Sequence, residues 1–144
     1  MAYRSLLVVL LLLSLAFLWA LSGSVLSELH SRASQDLGLL SIDSALQMLR
    51  DCVFLYLPLS CLIGVAAELR ARVCQLEQSH FAVGLLAVPL APAYYCCLAS
   101  MAWAPFNGLV ATIYGLLGFP TFLAIIISQI RHWRNQKSGD RLEG

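Results

Sequence analysis

The sequence predicts an all-α integral membrane bundle of four transmembrane helices, with an amphipathic helix on its outer face. Three observations predict it: sparse charge, four long apolar runs, and a one-sided distribution of arginine and lysine. Of 144 residues, 60% are hydrophobic and only 12% are charged, and the mean hydropathy is +0.79. A soluble domain carries about 25% charge because its surface must be solvated. Half that share leaves much of the surface facing something other than water. The formal net charge of +1 excludes a strongly basic nucleic-acid surface and an acidic disordered chain. No nucleic-acid partner is expected, and residues 1–144 read as a single membrane domain.

A lipid-spanning helix needs about 20 apolar residues, because the hydrocarbon layer is about 30 Å thick and a helix rises 1.5 Å per residue. The first predicted span, residues 5–22, is an uncharged run (SLLVVLLLLSLAFLWALS). With MAYR before it and Ala20-Leu21-Ser22 at its end, it also resembles a cleavable secretory signal. A signal's apolar core is usually only 7–15 residues long. Retention as an anchor is therefore the expectation, and cleavage would leave three helices.

Residues 23–44 form the predicted outer loop. Leu26, Leu29, Ala33 and Leu37 recur at helical spacing, with Glu28, His30, Arg32, Gln35 and Asp36 between them. That is one apolar face of a helix, with Gly38 as its stop. Two roles fit: continuation of the first span along its neighbours, or a docking face for a partner.

The second span, 45–67, is the shortest in uncharged length and spans only if it starts near Ser44, with Asp43 as the N-cap. The third, 81–103, and the fourth, 109–130, have no charge across their lengths. They are joined by Ala104-Pro105-Phe106-Asn107-Gly108, whose Asn-Gly pair is a turn signal. So short a link makes these two helices antiparallel neighbours. The tail, 131–144, is polar.

Counting basic residues beside the spans sets the orientation. With the N-terminus inside, the cytoplasmic segments hold Arg4, Arg70, Arg72, Arg131, Arg134, Lys137 and Arg141, against Arg32 and Arg50 outside. Both termini are expected on the cytoplasmic side of a plasma or bacterial inner membrane. Arg70, Arg72, Arg131, Arg134 and Lys137 are expected to anchor at lipid headgroups, and Trp19, Trp103 and Trp133 to form an aromatic belt.

Ionisable residues inside a span would be the strongest functional pointer, because burying them in lipid is costly. Arg50, Asp51, Glu68 and His80 read as span ends solvated by water or headgroups. Prolines 58, 89, 92 and 120 each remove a backbone donor and are expected to kink their helices. Pro89 and Pro92 together predict a bent or partly unwound third span, either tolerated or lining a cavity or partner groove. Gly115 and Gly118 give the fourth helix a small face for close packing, and Pro120 follows them.

Tyr94-Tyr95-Cys96-Cys97 invites a redox reading. Adjacent helical cysteines, however, project about 100° apart and do not readily join, so a hydrophobic role is expected. The five cysteines and three histidines form no metal pattern. No metal, cofactor or catalytic set is expected, and therefore no enzyme.

The expected function is that of an accessory, assembly or binding subunit of a larger membrane protein. Its partner or packing surface would draw on Leu26, Leu29, Leu37, Pro89, Pro92, Tyr94, Tyr95, Gly115, Gly118 and Pro120. Its partners are the lipid bilayer and either a larger membrane protein or further copies of itself. The alternative is a small oligomeric transporter or channel whose path is lined by the prolines, Tyr94, Tyr95, Tyr114 and Thr112.

Overall fold

Inside lipid, backbone groups have no partners but one another, so apolar runs of this length resolve as helices. The computed structural model describes residues 2–35, 42–74 and 80–139, without the side chains of 2, 74, 80–83, 136–137 and 139. Four helices make up the fold: α1 (Ala2–Ser34), α2 (Ile42–Cys74), α3 (His80–Trp103) and α4 (Gly108–Gly139). Each is long and apolar enough to cross a membrane. This is consistent with a multi-pass integral membrane protein.

The helices exceed the predicted spans. The 33 residues of α1 and of α2 correspond to about 50 Å of helix, well beyond the hydrocarbon thickness. The predicted outer amphipathic segment is not a separate element, because it continues α1 without a break. Leu29 and Ala33 are buried there and Leu26 packs partly buried against the same core. That apolar face packs inside the bundle, as the first of the two roles, continuation of α1 along its neighbours, has it. Leu37, and Gly38 as a stop, lie outside the described residues. The second span gains its length by starting at Ile42. Asp43 therefore sits in the first turn, not at the cap, where its charge still suits the positive end of the helix dipole.

Side-chain pairs fix the directions of the helices. Tyr3 with Arg72, Ser14 with Cys61 and Glu28 with Arg50 pair α1 antiparallel to α2 along its whole length. Ser22 with Tyr94 and His30 with Phe106 set α1 parallel to α3. Ser100 beside Gly115, and Cys96 and Cys97 beside Gly118, make α3 and α4 antiparallel. The N-terminal end of α1 and the C-terminal end of α4 thus share one end of the bundle, here termed basal. The opposite, apical end carries the α3–α4 turn. In that turn Asn107 Oδ1 accepts from the Val110 N–H at 3.3 Å and caps α4.

α3 is the hub. It packs against each of the other three helices, whereas α4 packs closely on α3 alone. Over an 18-residue apolar stretch of each span, 56% of α3 residues are buried, against 11% in α4. Composition explains this. Ala87, Ala91, Ala93, Ala99 and Ala102 are all at most 4% exposed, and such small residues let neighbouring backbones approach closely. Leu55, Leu59, Leu90, Tyr95 and Leu98 fill the spaces between them.

Pro89 and Pro92 do not unwind α3, which is helical from His80 to Trp103. The expected unwinding is therefore absent. Carbonyls freed by a proline still sit in a helix whose other hydrogen bonds are intact. Trp19 is 83% exposed, whereas Trp103 is buried with its ring 5.8 Å from Tyr114. Trp103 belongs to the core and not to the belt.

Candidate functional site

Three concavities carry the residues of interest. The first is apical, a cavity of about 130 Å³ lined by Leu29, Arg32, Ser44, Ala45, Met48, Tyr95, Trp103 and Tyr114. Beside it runs a charged chain across α1 and α2. Arg50 Nη2 donates to Glu28 Oε2 at 3.1 Å and to Asp51 Oδ1 at 3.1 Å. Glu28 and Arg50 are about half exposed, whereas the Asp51 side chain is 4% exposed.

Asp51 corrects the sequence reading. It is not solvated at a span end. The α1–α2 and α1–α3 pairings set it level with the last two turns of α3, inside the bundle. Its Oδ2 has no hydrogen-bond partner among the described residues. A buried ion pair adds little net stability, because desolvation cancels much of the attraction, but it can fix register. Here Arg50 and Asp51 are neighbours on α2, and the contact that crosses to α1 is the half-exposed pair of Arg50 with Glu28. Asp51→Asn keeps an acceptor facing Arg50 but gives up the charge and sets an amide donor where Oδ2 has no partner among the described residues. We expect that variant to be less stable than the native chain by about 1–3 kcal/mol, read as a lowered thermal midpoint in mild detergent.

The second concavity is lateral, an apolar pocket of about 320 Å³ between α2 and α3. Leu49, Cys52, Val53, Tyr56, Val88, Ala91 and Pro92 line it. Of the two central prolines, Pro92 faces this pocket while Pro89 is exposed.

The third is basal, a groove of about 290 Å³ that all four helices reach. Leu18 comes from α1, Leu59, Leu62, Ile63 and Ala66 from α2, and Leu90 and Tyr94 from α3. From α4 come Phe122, Ile125, Ile126, Gln129, Ile130 and Trp133. The Tyr94 ring stacks obliquely on Phe122 at 6.1 Å. Its hydroxyl lies 2.8 Å from Ser22 Oγ, whose own proton goes to the Leu18 carbonyl at 2.6 Å, so Tyr94 donates. Gln129 is 7% exposed and its Nε2 has no partner among the described residues. At the basal rim the Arg70 guanidinium lies over the Trp133 ring at 4.9 Å and donates to the Trp133 carbonyl at 3.2 Å.

The predicted site residues therefore do not converge. Tyr95 and Tyr114 meet at the apical cavity, Tyr94 lines the basal groove, and Thr112 is exposed with its hydroxyl on the Gly108 carbonyl. Pro120 is exposed on α4. Gly115 and Gly118 face α3, Gly118 buried between Cys96, Cys97 and Ala93. Among the anchors, Arg72 lies over the Tyr3 ring at 4.1 Å and donates to Glu68 at 2.7 Å. Arg131 and Arg134 are exposed. The Lys137 side chain and Arg141 lie outside the described residues. Cys52, Cys61, Cys96 and Cys97 are free thiols.

Sequence reasoning missed Gln129. Its signal was present: a carboxamide in the last turn of an otherwise apolar span, where an unmatched polar group is costly. Comparison with protein-family models, with curated proteins and with solved structures finds no match.

Proposed function

We propose that this chain is a non-catalytic accessory, assembly or binding subunit of a larger membrane protein complex. It would sit in a plasma or bacterial inner membrane with both termini in the cytoplasm. The orientation follows from the basic residues of the basal end, where Arg4, Arg70, Arg72, Arg131 and Arg134 gather. The observation that carries the functional reading is the attachment of α4. It is held along one face by α3 alone, while Leu109, Ile113, Leu116, Leu117, Leu123 and Ile127 on its other faces are all more than half exposed. In lipid, helices associate through close packing and interhelical hydrogen bonds, not through hydrophobicity. A helix bound mainly on one side offers a partner span a broad packing surface.

Extraction in a mild detergent followed by native mass measurement tests this. A stoichiometric complex with a distinct, larger membrane protein is the expected result. A lone chain would count against it. A symmetric homo-oligomer that moves solute when reconstituted alone would replace it with the transporter reading.

A further inference from the structure

We infer that the basal groove is a binding site for an anionic phospholipid, whose ester carbonyl accepts a hydrogen bond from Gln129 and whose phosphate faces Arg70. This does not depend on the accessory-subunit reading.

Size selects the occupant first. The groove holds about 290 Å³, on the order of ten units of the roughly 30 Å³ that a water molecule occupies in the liquid. That suits part of an acyl chain. A partner helix, about 10 Å across with its side chains, does not enter it.

The lining selects next. Leu18, Leu59, Ile63, Leu90, Phe122 and Ile126 present only carbon, so the deep part of the occupant is hydrocarbon. Besides Trp133 at the rim and Tyr94, whose hydroxyl is paired with Ser22, a carboxamide interrupts this wall. Gln129 Nε2 carries two N–H donors with no acceptor among the described residues, in a side chain that is 7% exposed. Leaving a buried donor unmet costs about 1–3 kcal/mol, so the occupant that completes this site brings an acceptor oxygen attached to an apolar body.

Depth identifies which oxygen. From Gly108, where α4 begins, to Gln129 is about 32 Å of helix rise, close to the thickness of the hydrocarbon layer. Gln129 thus stands where acyl chains give way to their ester linkages. Trp133 lies one turn further out, at the level where tryptophan favours the interface. Arg70 is stacked on it, with one of its five N–H groups on the Trp133 carbonyl. Reading outward, the groove offers an apolar wall, a carboxamide donor and a guanidinium. A phospholipid presents chain, ester carbonyl and phosphate in that order. Exposed Arg131 and Arg134 add positive charge at the same end, which favours an anionic headgroup over a zwitterionic one.

The test uses the full chain in dodecyl maltoside with three lipids titrated and followed by native mass spectrometry. These are dioleoylphosphatidylglycerol, its dialkyl-ether analogue lacking carbonyls, and dioleoylphosphatidylcholine. The native chain should bind the ester lipid about 2- to 10-fold more tightly than the ether lipid, the worth of one hydrogen bond. Gln129→Leu should erase that difference by weakening the ester lipid only. Phosphatidylglycerol should outbind phosphatidylcholine about tenfold, and Arg70→Gln should reduce that ratio. Equal binding of ester and ether lipids by the native chain would overturn the proposal, with no variant needed. An ester preference that survives Gln129→Leu would overturn it as well.

Discussion

Gly118→Ala is expected to be among the most damaging single-atom additions to this bundle, costing about 1–3 kcal/mol and loosening α4 from the remaining helices. A Cβ at this position would stand 2.8 Å from Cys96 Cβ, 2.8 Å from the Cys97 nitrogen and 3.0 Å from the Ala93 carbonyl oxygen. Two of these three atoms are backbone, so no rotamer change clears them and α4 itself must move outward. Overpacking of this kind typically costs about 1–3 kcal/mol. Because α4 packs closely on no other helix, little besides the basal contact of Arg70 with Trp133 holds it in register. Gly115, three residues earlier, is the internal control. Its added Cβ would meet the Ser100 hydroxyl at 3.2 Å, and a hydroxyl can rotate away, so Gly115→Ala should cost well under about 1 kcal/mol. Chemical denaturation of the two variants in one detergent makes the comparison. Equal losses would show that the α3–α4 interface is not set by close approach at Gly118.

Leu55→Ala is expected to cost about 2 kcal/mol. Among the described residues Leu55 is the largest side chain that is completely buried, at 0% exposure, and it fills the seam where α2 meets the alanine-rich helix. In a water-soluble core the loss has two parts, the transfer of the deleted carbons from water and the cavity left behind, together about 2–5 kcal/mol. In a bilayer the unfolded reference keeps its helices in lipid, which is as apolar as leucine, so the transfer part nearly vanishes. The cavity part remains, because atoms around a void lose dispersion partners whatever the solvent. The expected value therefore lies at the lower end of the soluble range. A fall in stability above about 4 kcal/mol in detergent would contradict this division.

The same equivalence of lipid and interior explains which features were legible in the sequence. Length and apolarity located all four helices, because an unpaired backbone is forbidden in hydrocarbon regardless of neighbours. The Asn107-Gly108 turn and the close approach at Gly118 could be read because each depends on a property of one residue. Beyond the apical Leu29–Ala33 face of α1 and the glycine face of α4, which side of each helix points inward could not be read. When leucine is equally content against lipid or protein, hydrophobic periodicity carries no such information, and the hub role of α3 is visible only as its run of alanines. Asp51 was assigned to water because it follows Arg50 at the edge of an apolar run. Its burial depends on the apical extension of α1 packing back against α2, a long-range fact absent from local sequence. Gln129 carries no charge, so the cost that marks an ionisable residue within a span does not single it out in the sequence.

The central position of α3 also sets an order of construction. As the chain is synthesised, α1 and α2 can meet as a hairpin clasped at Tyr3–Arg72 and Glu28–Arg50. Yet the residues that both must pack against, from Ala87 to Ala102, have not been made at that stage. Insertion of the first two helices and closure of the bundle are thus separate events. Closure waits until residue 103 has left the ribosome, and α4, whose close packing is on α3, is the last piece to dock.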